Sequence, residues 1–187
     1  MKSILCIHQG YELYGSDRSF ALSVKTLKDK YPNAIIDVMI PKDGPIRHIL
    51  ESSCSSLIIN KDLAILRKTE LKKNPFSFLY KIATGIIKAI NKSKQYDLLY
   101  VNTIVVLDYI IAARFIDSIS VLHIREIPMG FQEKIFSRII SFSKMNLIFN
   151  SLNTKNSFSI SNNLNKKVLL NGIKGFSNNE KIPKNNK

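Results

Sequence analysis

The chain has 187 residues, enough for one domain whose core needs neither disulfide bonds nor a structural metal. Hydrophobic residues make up 45% and charged residues 22%, and no apolar run reaches the roughly 18 residues of a transmembrane helix, so neither intrinsic disorder nor a membrane-spanning helix is expected. Lysine and arginine total 28 against 14 acidic residues, and this net charge of +14 predicts an anionic partner: nucleic acid, an anionic membrane or a phosphorylated ligand.

Apolar runs and helical patterns alternate from the N-terminus onward. A strand is predicted at residues 3–8, followed by a polar loop and a helix to about residue 30. Ser16 is predicted to cap this helix, and Asp17 suits the positive end of its dipole. Further strands are predicted at residues 34–40 and 56–60, with a short helix at 46–53 between them.

The second half of the chain continues the alternation. Asn74 and Pro75 predict the start of a helix that ends near residue 92 and buries one apolar face: Leu79, Ile82, Ala83, Ile86 and Ile90. Asn102 follows a strand at 97–101 and is predicted to cap a helix at 103–115. Later strands are predicted at 119–124, 146–149 and 167–170, separated by helices at 131–142 and 151–159. This pattern predicts an α/β, Rossmann-like fold: a mostly parallel sheet of about seven strands with helices on both faces.

Candidate binding residues follow the predicted strands, because ligands of such sheets bind outside the carboxyl ends of the strands. Gly15, Ser16, Asp17 and Arg18 open the first helix, where free backbone N–H groups suit a phosphate. A turn with a helix cap explains the same residues equally well, and neither a dinucleotide-binding nor a P-loop motif is present. The candidates after later strands are Asn102, His123, Arg125 and Glu126.

His123 has two interpretations. A histidine at a strand end can donate to a sugar hydroxyl or transfer a proton near neutral pH, but it can also be a buried core residue. No metal site is predicted, because the three histidines are scattered and neither Cys6 nor Cys54 has a zinc-type partner. The two cysteines are interpreted as reduced thiols of a cytoplasmic protein.

Residues 61–94 carry nine lysines and arginines against two acidic residues, half of the net charge of the chain. Phe76, Phe78 and Tyr80 lie in the middle of this basic segment. Basic residues mixed with aromatic ones are typical of a segment that binds an anionic membrane surface, although solvated lysines on a sheet-covering helix explain the charge as well. No nucleic-acid partner is expected, because no nucleic-acid-binding module is visible.

Five segments in this order resemble the N-terminal half of family 4 glycosyltransferases, the retaining GT-B enzymes that build bacterial capsule and O-antigen: HQGYELYGSDRSFALSVKTL, DLLYVNTIVVLDYIIAARF, VLHIREI, LIFNSLNTKNSF and VLLNGI. The resemblance implies an acceptor-binding domain at residues 1–173, with a polar basic tail at 174–187 that we expect to be disordered. It also implies that Gly15 and Ser16 lie at the interdomain cleft, that the catalytic candidate His123 lies near the reacting sugar, and that Asn171 and Gly172 precede the hinge.

The sequence departs from this family in the donor-binding half. That half carries two glutamates eight residues apart, and no two of the six glutamates here have this spacing; Glu126 and Glu133 are seven apart. We therefore expect an acceptor-side domain that lacks its donor-binding half: a truncated reading frame, an excised domain, or one subunit of a split transferase with a separate C-terminal-domain polypeptide. The alternative is a non-catalytic phospholigand-binding module or decayed enzyme fragment. The resemblance implies no cofactor, a nucleotide-sugar donor as substrate, a lipid-linked or saccharide acceptor, and a peripheral position on the inner face of the plasma membrane.

Overall fold

The computed structural model describes residues 1–67 and 74–170, and in them seven strands form one sheet. The elements in chain order are β1 (Ser3–Ile7), α1 (Gly15–Lys30), β2 (Ile35–Ile40), α2 (Arg47–Leu50), β3 (Ser56–Ile59), α3 (Pro75–Ser93), β4 (Leu98–Val101), α4 (Leu107–Ala112) with a 3₁₀ turn (Ala113–Phe115), β5 (Ile119–Ile124), α5 (Phe131–Ser143), β6 (Asn146–Phe149), α6 (Leu152–Asn156) and β7 (Lys166–Val168). The predicted α/β class and the number of strands are confirmed.

All neighbouring strands are parallel, in the order β3-β2-β1-β4-β5-β6-β7. The chain first builds outward from β1 to β3 and then returns to place β4 on the other side of β1, where Cys6 lies opposite both Val38 and Tyr100. The strand order therefore reverses between β1 and β4. In doubly wound sheets the crevice at the carboxyl ends of these two strands is the usual place for a ligand.

Helices cover both faces of the sheet, as predicted. One face packs against α1 and α2 through Phe20 and Leu50, and the opposite face packs against α3, α4 and α5 through Ala89, Ile110 and Ile140. Successive strand residues point to opposite faces, so each central strand contributes to both cores.

Helix α1 begins differently from the prediction. The N-cap is Tyr14, and Ser16 is the second residue inside the helix, so the prediction that Ser16 caps it is wrong. The carboxylate of Asp17 instead accepts hydrogen bonds from the backbone N–H groups of Leu13 and Tyr14, at 2.7 and 2.8 Å. Asp17 thus reaches back over the helix start and satisfies two amide groups that precede it.

Helix α3 begins as predicted, because the side chain of Asn74 accepts a hydrogen bond from the backbone N–H of Ser77 at 3.0 Å. Its predicted buried face is wrong at Leu79, which is 60% exposed, and at Ala83, which is also exposed. The helix turns a row of smaller residues inward instead. A Cβ atom on Gly85 would lie 3.0 Å from the Cβ of Asp108, so this glycine lets α3 approach α4 closely.

Helix α4 begins at Leu107, four residues later than predicted, and Asn102 does not cap it. The intervening backbone is extended and pairs with the segment before α3: Ile65 forms an antiparallel bridge with Val106, and the N–H of Leu66 donates to the carbonyl of Val105 at 2.8 Å. The buried side chain of Asn102 is therefore available for contacts at the sheet edge.

The boundaries at the C-terminal end are shorter than predicted. Helix α6 ends at Asn156 and β7 at Val168, while Ser151 caps α6 by accepting from the N–H of Thr154 at 3.0 Å. The predicted hinge at Asn171 and Gly172 and the predicted tail at 174–187 lie outside the described residues. Within the described ranges, no helix combines the length and the hydropathy needed to span a bilayer.

Candidate functional site

Six polar side chains meet where the strand order reverses, at the carboxyl ends of β1, β4 and β5 and the start of α1. We call them the switch-point cluster: His8, Asp17, Tyr100, Asn102, His123 and Arg125. All are buried except Arg125, which is partly exposed. Four of the predicted site residues belong to this cluster: Asp17, Asn102, His123 and Arg125. They are far apart in the chain, and the parallel sheet brings them together at the carboxyl ends of its strands.

Asp17 and His8 form the innermost pair. The Nε2 atom of His8 lies 2.7 Å from Oδ1 of Asp17, and the imidazole stacks on Phe20 with 4.6 Å between ring centroids. Burial alone would raise the pKa of Asp17, but the hydrogen bonds from His8 and from the N–H of Tyr14 outweigh burial and lower that pKa to about 2. Asp17 is therefore ionised at neutral pH and holds the loop before α1 against the sheet.

Asn102 connects this pair to the arginine at the end of β5. Its Nδ2 donates to Nδ1 of His8 at 3.1 Å, and its Oδ1 accepts from Nε of Arg125 at 2.8 Å. Nη1 of Arg125 donates to the hydroxyl of Ser19 on α1 at 2.6 Å. The guanidinium thus joins β4, β5 and α1, and it presents a fixed positive charge beside the crevice.

His123 lies in the wall of the site and is 3% exposed. Its Nδ1 lies 2.7 Å from the hydroxyl of Tyr100 and 3.3 Å from Nη2 of Arg125. Because arginine only donates hydrogen bonds, Nδ1 is an acceptor and the ring proton lies on Nε2. That atom has no hydrogen-bond partner within residues 1–67 and 74–170.

Burial, followed by the nearby charge of Arg125, lowers the pKa of His123 from 6.5 to about 3. The imidazole is therefore neutral near pH 7 and can serve as a hydrogen-bond donor through Nε2. It cannot supply a proton as an imidazolium at that pH. A catalytic role for His123 stays a prediction.

The predicted residues at the start of α1 lie outside the cluster and are exposed: Gly15, Ser16 and Arg18. A Cβ atom on Gly15 would have no heavy atom within 4 Å, so the fold itself does not require glycine there. Ser16 lines a cavity of about 310 Å³ that also borders Gly10, Tyr11 and Arg67. The predicted exposed helix start is present, and what it binds stays a prediction.

Gly10 was not predicted to matter, yet the site depends on it. A Cβ atom there would lie 2.0 Å from Oδ1 of Asp17 and 2.9 Å from Nε2 of His8. The sequence signal that could have found it is a glycine two residues after a strand-end histidine, but only the fold shows that a carboxylate comes to the same point. Tyr100 was missed because its hydroxyl is hidden in an apolar strand.

Glu126 is held by the loop after β4. Its carboxylate accepts from the hydroxyl of Thr103 at 2.5 Å and from the N–H of Arg125 at 3.1 Å. A further cavity of about 290 Å³ opens beside α1 on the sheet face, with an apolar lining and with Tyr100, His123 and Arg125 at one end. The cluster therefore forms one wall of a concave surface.

Two solved structures share this fold. The crystal structure of Anabaena Alr3699/HepE in complex with UDP and glucose matches with a TM-score of 0.65 and 19% identity, over 92% of this chain and 45% of that one. Acinetobacter baumannii MurG matches with a TM-score of 0.57 and 18% identity, over 91% of this chain and 45% of that one. The fold matches that of GT-B glycosyltransferases. The chain spans less than half the length of either protein.

At the level of sequence, no protein-family model matches the chain, and no curated protein matches it. The identities to the two solved structures are 19% and 18%, so the likeness is one of fold. Membership of family 4 and the position of the chain in the N-terminal half both stay predictions.

Neither cysteine forms a disulfide, and burial raises the pKa of the Cys6 thiol well above its usual range. In the part of the chain that the structure describes, no three histidine, cysteine, aspartate or glutamate side chains come close enough to hold a metal ion.

Proposed function

We propose that this chain is the acceptor-side domain of a GT-B glycosyltransferase. The observation that carries the proposal is the switch-point cluster, with its fixed arginine and neutral histidine, beside the exposed start of α1 at the carboxyl edge of a sheet whose fold matches HepE and MurG. The structure of HepE is a complex with UDP and glucose. By analogy, the substrate class proposed here is a nucleotide-sugar donor with a saccharide or lipid-linked acceptor.

In this proposal the start of α1 and the cluster residues have separate roles. Gly15, Ser16 and Arg18 at the exposed start of α1 bind an anionic group of the acceptor, where backbone N–H groups and the helix dipole favour negative charge. His123 donates a hydrogen bond from Nε2 to a sugar hydroxyl, consistent with its neutral state. Arg125 contributes positive charge that stabilises a departing diphosphate, and Asn102 positions it at 2.8 Å.

The donor-binding half, in this proposal, comes from a further domain or a separate polypeptide, and transfer proceeds with retention of configuration in the synthesis of surface polysaccharide. The alternative proposal is a non-catalytic phospholigand-binding module. The observation that favours the alternative is the burial of His123, whose Nε2 atom has almost no solvent contact.

The test is a transfer assay with a radiolabelled nucleotide sugar and a membrane extract as acceptor source. The chain is assayed alone and together with the protein of the adjacent reading frame. We expect label in the lipid or polysaccharide fraction only when a donor-binding domain is supplied, and we expect His123→Ala to reduce this incorporation sharply. Absence of incorporation with every added domain would favour the non-catalytic module.

The chain is also proposed to associate with the inner face of the plasma membrane. Helices α3 and α5 pack on the same sheet face, and both begin at the carboxyl edge of the sheet. Four large apolar side chains at these helix starts are exposed: Phe76 by 82%, Tyr80 by 73%, Met129 by 82% and Phe131 by 75%. Lys81 follows Tyr80 directly, and a basic side chain beside exposed aromatic ones is the combination that binds anionic membranes. Residues 68–73 of the predicted basic segment lie outside the described residues.

A further inference from the structure

Four cationic side chains line one cavity of about 290 Å³ outside the switch-point cluster: Lys42, Lys61, Arg67 and Lys81. They come from separate parts of the fold, because Lys42 follows β2, Lys61 follows β3, Arg67 lies further along that connection, and Lys81 is on α3. Among the described residues, the rest of the lining is Tyr11, Pro41, Leu63 and Ile65, and none of these carries a carboxylate. We call this the four-cation cavity.

The wall that carries Lys61 and Arg67 is anchored to the core. Leu63 and Ile65 are buried, Ile65 bridges to Val106, and the N–H of Ala64 donates to Oδ2 of Asp108 at 3.1 Å. The cavity is therefore a formed concavity with an apolar floor, because this segment cannot move away without breaking those contacts.

The charges around the cavity are not neutralised by ion pairs. Across residues 1–67 and 74–170, no carboxylate lies within 4.0 Å of these four side chains, whereas Lys88 just outside pairs with Asp62 at 3.1 Å. Nζ of Lys81 donates to the carbonyl of Lys61 at 3.4 Å. Nζ of Lys42 lies 5.3 Å from the ring centroid of Tyr11.

Lys81 and Lys42 line the same cavity. The charge of Lys81 acts on the buried carboxylate of Asp108, which already accepts hydrogen bonds from the backbone N–H groups of Ala64 and Tyr109. Like charges gathered around one concavity repel each other, and a multiply charged anion would relieve that repulsion.

We propose that the four-cation cavity binds the diphosphate group of a ligand. Four positive charges exceed what a carboxylate or a single phosphate needs, and a guanidinium together with ammonium groups matches the several oxygens of a diphosphate. The volume is at the lower end of small-molecule pockets, which fits a diphosphate with a short adjoining group against the apolar floor. The four cations lie outside the switch-point cluster and have no role in the proposed transfer function, although Tyr11 and Arg67 also border the cavity beside Ser16. The inference therefore goes beyond that function.

The test is calorimetric titration of the full chain with inorganic pyrophosphate at low ionic strength. We expect Arg67→Gln and Lys61→Gln each to weaken binding about tenfold, the effect of losing one charge-assisted hydrogen bond. Lys25→Gln on α1 is the matched control, because Lys25 is exposed and lies outside the cavity, and its affinity should stay within about twofold of the parent. Melting temperatures measured in parallel identify any variant that misfolds. If Arg67→Gln or Lys61→Gln misfolds, Lys42→Gln, which changes an exposed position, is used in its place.

Two further titrations identify the source of the diphosphate. Tighter binding of geranyl diphosphate than of pyrophosphate supports a lipid-linked ligand, and equal binding supports a free or nucleotide-linked one. No detectable pyrophosphate binding, or the same loss in Lys25→Gln as in the cavity variants, would overturn the proposal. The outcome is independent of sugar transfer. If the chain binds pyrophosphate in this pattern but never supports transfer, the diphosphate site is supported and the proposed transfer function is contradicted.

Discussion

At the scale of single residues, the carboxylate of Asp17 organises the start of α1 from inside the protein. It accepts hydrogen bonds from His8, Leu13 and Tyr14, and it is 2% exposed. A sequence search for binding residues selects Asp17 because it stands at a helix start. The structure shows that its oxygens are directed at the protein's own groups, and its neighbours Gly15, Ser16 and Arg18 are the residues that face solvent.

Gly10 and Gly15 form a matched pair for testing this arrangement. Gly10→Ala places a methyl group 2.0 Å from Oδ1 of Asp17, so we expect the loop to shift and the free energy of unfolding to fall by about 2 kcal/mol. Gly15→Ala meets no neighbouring atom, so it should leave stability unchanged or raise it by at most about 1 kcal/mol. Urea unfolding at neutral pH measures both, and equal effects would contradict the assigned role of Gly10.

His123 makes a prediction about pH. The unfolded imidazole takes up a proton near pH 6.5, whereas in the folded protein its pKa is about 3. Its neutral form is therefore favoured by folding: the contribution to stability is complete above pH 6.5 and is lost progressively as the pH falls toward 3. We expect this one group to account for about 2 kcal/mol of the stability lost between pH 7.5 and 5.

The measurement is urea unfolding of the parent and of His123→Gln at several pH values in that range. As the pH falls, the free energy of unfolding of the variant should decrease less steeply than that of the parent. This difference in slope is expected whatever the stability of the variant at pH 7.5. His48→Gln is the control, because His48 is exposed on α2 and its variant should follow the parent curve. A variant curve parallel to the parent would show that His123 titrates normally in the folded state.

At the scale of elements, strands were predicted more accurately than helix ends. A short apolar run, such as the one at β6, is sufficient to predict a strand of a parallel sheet. Strands β5 and β6 have the predicted bounds. Helix caps depend on which partner a polar side chain finds. Asn74 has only local partners and caps α3 as predicted, whereas Asn102 contacts His8, a residue 94 positions earlier.

The buried face of a helix is equally hard to predict from sequence when two adjacent rows of side chains along the helix are both apolar. Leu79 fits the helical repeat of α3 as well as Phe78 does, but Phe78 is buried, because Gly85 lets the neighbouring row approach α4. For the site, the sequence indicated the sheet edge and four members of the cluster. Gly10 and Tyr100 could not be predicted, because their importance arises from contacts with residues that only the fold brings near.

Two of the three predicted caps can be compared directly. Asn74→Ala removes the acceptor for the N–H of Ser77, so the free energy of unfolding should fall by about 1 kcal/mol. Ser16→Ala should change it by less than about 0.5 kcal/mol, because Ser16 lies inside α1 and caps nothing. Thermal and urea unfolding of the two variants provide the comparison. A larger effect for Ser16→Ala than for Asn74→Ala would contradict the cap assignment.

At the scale of the whole molecule, four large exposed apolar side chains lie at the edge that also carries the candidate site. Phe76 and Tyr80 on α3 and Met129 and Phe131 at the start of α5 are far apart in the chain, yet both helix starts lie at the carboxyl edge. The sequence analysis selected Phe76, Phe78 and Tyr80 of α3, and of these Phe78 is wrong as a surface residue because it is buried in the core. Met129 and Phe131 were not selected, because they stand outside the basic segment.

We expect the chain to sediment with anionic vesicles and much less with neutral ones, and high salt should weaken this binding. Replacing Phe76 and Phe131 with serine should reduce the bound fraction at least tenfold, since each aromatic ring contributes about 1.5–3 kcal/mol when it leaves water. Ile119→Ser is the control, because Ile119 is 55% exposed but begins β5 at the opposite edge of the sheet. Equal binding to both vesicle types, or equal loss in the control, would exclude this surface as the membrane contact.

The position of β1 at the centre of the sheet has a consequence for how the protein is made. Strand β1 is synthesised before the other six strands of the sheet, and it pairs with β2 and also with β4, where Ile4 lies opposite Leu98. Until β4 has been synthesised, one whole edge of β1 has no partner, and Cys6, Ile7 and their neighbours stay uncovered. Closing such a long loop is entropically costly and slows folding. We therefore expect nascent chains that end before β4 to depend on chaperones and to aggregate when released early.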